Sequence, residues 1–159
     1  MAAAYDEERL LTDIENLFKN NFATKIAAIN SEKSDSITLV TVDSTNGYFA
    51  DMNDKSANYN PIILTAITDQ TSESNGAATL RTITVNVALI LSDDIGDANI
   101  LKRMLRYGRA MREIVEDKFF NLRSVDIFKI ESLPVLSFQK SGQSEVYKVV
   151  GINIITSIC

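Results

Sequence analysis

TITVNVALILSDDIGDANILKRMLRYGRAMREIVED, residues 82–117, holds the two periodicities that decide the fold. Ile83, Val85, Val87, Leu89 and Leu91 alternate with Thr82, Thr84, Asn86, Ala88 and Ile90. A period of two predicts a strand with one face fully buried and the other only partly so. From Asp94 to Asp117 the period changes. Ile100, Met104, Tyr107, Met111, Ile114 and Val115 recur at threes and fours, which makes one apolar stripe on a helix. Ser92 and Asp93 are N-cap candidates, and Asp94 and Asp97 place negative charge near the helix start. The stretch reads as a strand followed by the helix that covers its sheet, with Gly108 on the buried side allowing close approach.

Outward from this centre the pattern continues in both directions. Residues 5–19 carry Leu10, Ile14, Leu17 and Phe18 on one helical face, with Asp6, Glu7 and Glu8 in the first turn where the dipole favours them. Asn20-Asn21 weakens or ends this helix, and FATKIAAI continues it or starts a second one. SEKSDS (31–36) reads as a polar turn and Ile37–Val42 as a β-branched strand. Residues 43–60 form a long polar loop with a turn at Asn46-Gly47 and with Tyr48, Phe49 and Tyr59, either a hairpin tip or a contact surface. Pro61 opens a strand, PIILTAIT, and DQTSESNGA (69–77) is a polar connection. Beyond the central helix, Val125–Phe138 reads as one long strand bent at Pro134. KSGQSE (140–145) is a turn, and Val146–Ile158 is the closing strand with Val150, Ile152, Ile154 and Ile158 on one face. The last two strands are joined too closely for a crossover and should pair antiparallel. The expected architecture is α+β: a mostly antiparallel sheet packed by an N-terminal and a central helix, in the order helix, strands, helix, two strands. A chain of 159 residues suits a single domain over 1–159.

Composition narrows the function classes. A formal charge of −5 argues against a chain whose main task is gripping nucleic acid, because phosphate affinity comes largely from Lys and Arg. The sequence has no histidine, which removes Ser-His-Asp and Cys-His nucleophile systems and the usual zinc sites. A single cysteine, Cys159, forms no intrachain disulfide and points to a reducing, intracellular origin. No apolar run approaches the roughly 20 residues that span a bilayer, and MAAAYDEERLL does not read as a secretory signal.

Two stretches resemble metal sites and fail the pattern. Asp51 and Asn53 fit the first and third positions of a calcium loop, but Lys55 and Ser56 break it and no Glu closes it. Glu116-Asp117-Lys118 has the E-x-K spacing of metal-dependent nucleases, yet falls at a helix end and not on a strand. No catalytic residue, cofactor or metal ligand is expected. The central helix does carry a distinctive charge pattern. Lys102, Arg103, Arg106, Arg109 and Arg112 sit mid-helix, while Glu113, Glu116 and Asp117 crowd the C-terminal end, where the dipole disfavours acids. Arg109/Glu113 and Arg112/Glu116 are i,i+4 pairs, so a solvated face explains part of it. A partner surface of matched charge is the functional alternative.

The acidic amphipathic N-terminal helix, the strands with a long polar loop, LRYGRAMREIVED (105–117) and the closing YKVVGINIITSI (147–158) together resemble bacteriophage tail terminator and tail completion proteins. The resemblance covers most of the chain, and Tyr107–Glu113 and the final strand carry most of it; the loop 43–60 matches no feature of the family. It implies an α+β subunit of a ring, hexameric in that family, that caps the tail tube and joins it to the neck or head. Double-stranded DNA would pass through non-specifically, and neither catalysis nor cofactor would be involved. The implied partners are further copies of the chain, the tail tube and neck or connector proteins, and the implied location is the virion, after assembly in the host bacterial cytoplasm. The candidate contact residues are Lys102, Arg103, Arg106, Arg109 and Arg112 on the helix and Tyr48, Phe49 and Tyr59 in the loop. The competing readings are a small intracellular metal-dependent enzyme acting on nucleotides or nucleic acid, a head-completion protein of the same connector, and a cellular adaptor domain.

Overall fold

The computed structural model describes residues 6–49, 61–76, 78–92, 98–118, 126–139 and 146–158. Its elements are α1 (Glu7–Lys33), β1 (Tyr48–Phe49), β2 (Ile62–Asn75), β3 (Ala78–Ser92), α2 (Ile100–Lys118), β4 (Asp126–Ser132), β5 (Leu136–Gln139) and β6 (Val146–Ile158). The strands form one sheet in the order β1-β2-β3-β6-β4, with β5 also paired to β6. Every pairing is antiparallel except the two-residue β1, which runs parallel to β2. The α+β expectation holds, including the antiparallel pairing of the last two stretches on each other.

The alternation in β3 fixes which way the sheet faces. Ile83, Val85, Val87 and Leu89 are fully buried and join Val150, Ile152, Ile154 and Ile158 of β6 in one core with the helix stripes. Both helices therefore lie on this face, α2 over β6 and α1 beside it against β2. The α2 stripe is Met104, Tyr107, Ala110, Met111, Ile114 and Val115. Phe22 of α1 stacks on Tyr107 with ring centroids 6.3 Å apart, which closes the seam between the helices. A Cβ on Gly108 would come within 2.9 Å of Val150 Cγ2, so the glycine sets how near α2 comes to β6. Ile90 departs from its half-exposed face: it is buried on the opposite side with Ile62, Leu64 and Tyr147, under Phe138 and Val149.

Five boundaries differ from the sequence expectation, each for a physical reason. α1 takes the continuous course of the two left open at Asn20-Asn21, and spans 27 residues in all. Asn21 turns its amide back to donate to Leu17 O at 2.8 Å, and Phe22, Ile26 and Ile29 extend the buried stripe. Each asparagine costs at most about 0.7 kcal/mol of helix propensity, against about 1.5–3 kcal/mol for burying one Phe or Ile. Burial wins. The helix ends at Ser34, whose left-handed backbone (φ 47°) returns its N–H to Asn30 O, so SEKSDS is half helix and half turn.

Ile37–Val42 is extended but joins no strand. It lies as a strap whose backbone is held by side chains. Asn30 Nδ2 donates to Leu39 O at 3.0 Å and its Oδ1 accepts from Leu39 N–H at 2.8 Å. Tyr107 Oη donates to Val40 O at 2.7 Å and accepts from Val40 N–H at 3.0 Å. Ile37 and Leu39 turn inward at strand spacing, but Val42 rather than Thr41 is the next buried residue, and the groups that satisfy the segment come from both helices.

The supposed polar connection at 69–77 is for the most part sheet. β2 continues to Asn75 and pairs with β3 through Asn75↔Ala78, with Gly76 at φ 69° between them and a register shift at Ile67/Asp69. The strand expected over 125–138 is broken at Leu133–Val135 into β4 and β5, because Pro134 has no N–H to give the ladder. Finally, α2 starts at Ile100 and not at Asp94, with Arg103 N–H on Asn99 O at 3.0 Å. Asn99 holds the N-cap position, which asparagine favours. Ser92 is the last residue of β3; Asp93, Asp94 and Asp97 lie outside the described residues.

Candidate interaction surfaces

Two surfaces carry the exposed chemistry of this fold: the outer face of α2 and the hairpin arm of β2 and β3. On α2, most cations anticipated as contacts are engaged within the chain. Arg106 makes a two-pronged pair with Asp35, at 3.0 and 2.5 Å, and donates to Ile37 O at 3.0 Å. That guanidinium, helped by the Ile37 N–H, holds the Asp35 carboxyl down at about 2. Arg103 donates to Thr38 O, so both arginines clamp the strap. Arg109 bridges Glu32 of α1 at 2.7 Å and Glu113 at 3.2 Å, and its hydrogen bond lowers the pKa of Glu32. Arg112 pairs with Glu116 at 3.6 Å. Lys102 makes no ion pair among the described residues and stands exposed.

The acids at the C-terminal end of α2 have a local reason too. Lys25 of α1 reaches Asp117 at 3.0 Å and Glu113 at 3.7 Å. A charge order that opposes the helix dipole is thus answered by a cation from the neighbouring helix. The same contact occupies Asp117 of the E-x-K spacing, and the trio closes α2 as a helix end. The 51–60 stretch that superficially resembles a calcium loop lies outside the described residues.

The aromatic loop divides. Tyr48 is half-buried against the core, beside Ile63 in register, with Lys19 Nζ 5.6 Å from its ring centroid. Burial, with Glu15 adding to it, pushes its hydroxyl well above the ordinary tyrosine range. Phe49 pairs in register with Leu64 at the sheet edge. Tyr59 lies outside the described residues. Gly47 makes the turn into β1 possible, since a Cβ there would sit 2.4 Å from Val42 Cγ1 and 2.6 Å from Asp43 O.

What remains exposed on α2 is a ridge the sequence reading passed over. Leu101 and Leu105, one turn apart, are 57% and 56% exposed. Beside Leu105 is a shallow depression lined by Lys33, Lys102, Arg106 and Arg109. The signal for it was the i,i+4 leucine pair lying off the Met104/Met111 stripe.

The hairpin arm was also missed. Its signal is Gly76, the first residue of a two-residue connection between Asn75 and Ala78, a position that favours glycine. The described part of β6 ends at Ile158 opposite Arg81, so 72–75 and 78–80 have only each other as described neighbours in the sheet. One face of the arm is anchored: Glu7 in the first turn of α1 accepts from Arg81 at 2.6 Å and Gln70 at 2.7 Å. The other face, continuous with the helix-free side of the sheet, presents Asp69 and Glu73, with Leu80 directly across from Glu73. All three are exposed.

No protein-family model matches the chain, and no curated protein matches it either. Among the described residues, no group of three or more cysteine, aspartate or glutamate side chains could hold a metal ion, and no helix is long and apolar enough to cross a membrane.

Proposed function

We propose that this chain is a structural subunit that assembles with copies of itself into a ring at the end of a phage tail tube, the role implied by its resemblance to tail terminator and tail completion proteins. The two segments that carry the resemblance are α2 and β6, and they are the central elements of the fold, packed on each other through Gly108 and Val150. The observation that carries an assembly role is the arm. Residues 72–75 and 78–80 spend two strands of chain on a projection in which Ser72, Glu73, Ser74, Thr79 and Leu80 are all exposed. Such a projection adds little to the stability of its own domain, and it suits a subunit whose surface is completed by a neighbour. Chemistry plays no part in this reading: the chain supplies shape and contact, and DNA passes without being read.

The test is mass in solution, with and without purified tail tube. A ring-sized species, or one that forms when tube is added, is the expected result. A chain that stays monomeric at high concentration and ignores the tube would overturn the proposal.

A further inference from the structure

The arm and the α2 ridge are complementary. The arm offers two carboxylates, Asp69 and Glu73, around an exposed Leu80. The ridge offers two exposed leucines, Leu101 and Leu105, beside a depression lined by four cations. Glu32 and Asp35 already answer Arg109 and Arg106 there, and Lys33 and Lys102 carry the remaining positive charge. Exposed leucine on both sides supplies the apolar contact that ion pairs alone, worth about 0–1 kcal/mol at a surface, do not.

One molecule cannot join these two surfaces by itself. α2 approaches the sheet at Val150, which pairs with Leu89 near the Ser92 end of β3. The arm lies towards the other end: at ~3.3 Å per residue Leu80 is about 30 Å along the strand from Leu89, and Thr84, the partner of Asp69, about 17 Å. The arm also points its acidic face to the helix-free side of the sheet, while the ridge lies on the outer surface of the helix layer. The complementarity can be satisfied only between molecules.

We propose that the occupant of the α2 ridge is the β2–β3 arm of a second copy of this chain, with Glu73 and Asp69 meeting Lys33 and Lys102, and Leu80 seated against Leu101 and Leu105. The contact uses different patches on the two partners. It is therefore head-to-tail and propagates until it closes, which is the geometry a ring requires. This assignment rests on the ring-forming reading and names the surfaces that would carry it.

The experiment uses two full-length variants changed only at exposed positions. The arm variant carries Asp69→Lys and Glu73→Lys; the helix variant carries Lys33→Glu and Lys102→Glu. Far-ultraviolet circular dichroism checks that each is folded. Each variant alone should be monomeric at concentrations where the parent chain assembles. Mixed in equal amounts they should assemble again, because the wild-type arm of one fits the wild-type ridge of the other and the reversed arm matches the reversed ridge. A Leu101→Ser, Leu105→Ser variant should lose assembly even at low salt, which tests the apolar half of the contact. If the parent chain assembles and the variants assemble as it does, or the mixture stays monomeric, the arm–ridge pairing is wrong while the ring survives. If the parent chain assembles neither alone nor when purified tail tube is added, both fall together.

Discussion

Tyr107 shows how much of this structure rests on single polar atoms. Its ring is core, stacked on Phe22, while its hydroxyl leaves the core to hold both backbone groups of Val40. Burial raises the pKa of that hydroxyl, so it stays protonated and able to donate throughout the neutral range. Tyr107→Phe keeps the ring and removes both hydrogen bonds to the backbone of Val40, a residue 57% exposed, at a cost of about 0.5–1.5 kcal/mol. Urea denaturation should show that loss, and amide exchange at Val40 should accelerate more than at Val87 in the core. Asp35 gives a pH signature at the same strap. Its folded carboxyl titrates at about 2, below its ordinary value of 3.8, chiefly through the Arg106 hydrogen bond. Below that ordinary value the unfolded chain takes up the proton before the folded chain does, so stability falls as pH drops from about 4 to about 2. Above this window the contribution is constant. NMR titration of the Asp35 carboxyl should give the depressed value, and Arg106→Ala should return it towards the ordinary one.

At the scale of elements, the strap over 37–42 is the unusual part. Extended backbone normally finds its hydrogen bonds in a neighbouring strand; here Asn30 from α1 and Tyr107, Arg103 and Arg106 from α2 provide them. Asn30→Ala should cost about 1–3 kcal/mol, since it leaves both backbone groups of Leu39 without that partner. Combined with Tyr107→Phe the loss should be less than additive by at least about 0.5 kcal/mol, because both residues fasten one segment and the first release already frees it. A fully additive double mutant would mean that the two anchors act independently. The arm is the opposite case. Its tip is stabilised by its own ladder and little else, so it can be removed. Replacing residues 73–80 with Asn-Gly closes Ser72 onto Arg81, which already pair. The shortened chain should melt within a few degrees of the parent chain as a monomer.

For the whole molecule, the layout separates stability from recognition. The core is on one side of the sheet, where α1 and α2 close over β3 and β6. The arm extends past β6, and the leucine ridge faces outward from α2. Deleting the arm should therefore abolish assembly without unfolding the subunit, and sedimentation of the shortened chain at high concentration checks it. If the shortened chain assembles as the full one does, the ring must be built from other surfaces. The negative overall charge fits a subunit near DNA that is not meant to hold it.

What was legible in the amino-acid order was everything encoded in local period. The alternation of 83–91, the stripes of both helices and the buried face of β6 each follow from which side chains recur on one side of an element, and the α+β class follows from their sequence. The partners were not legible. Ile37–Val42 has the composition of a strand, but its hydrogen bonds come from residues far away in the chain, so only tertiary packing could make it a strap. Asn20-Asn21 failed to stop α1 because Phe22, Ile26 and Ile29 had a core to enter. The partners of the charges on α2 were not legible either: Glu32 and Asp35 for its arginines and Lys25 for its C-terminal acids are brought beside it by other elements. In the 82–117 stretch the order of residues determined which faces are buried. Which charges are already matched, and which leucines stay exposed, was decided by packing, because pairing energy depends on distance in space.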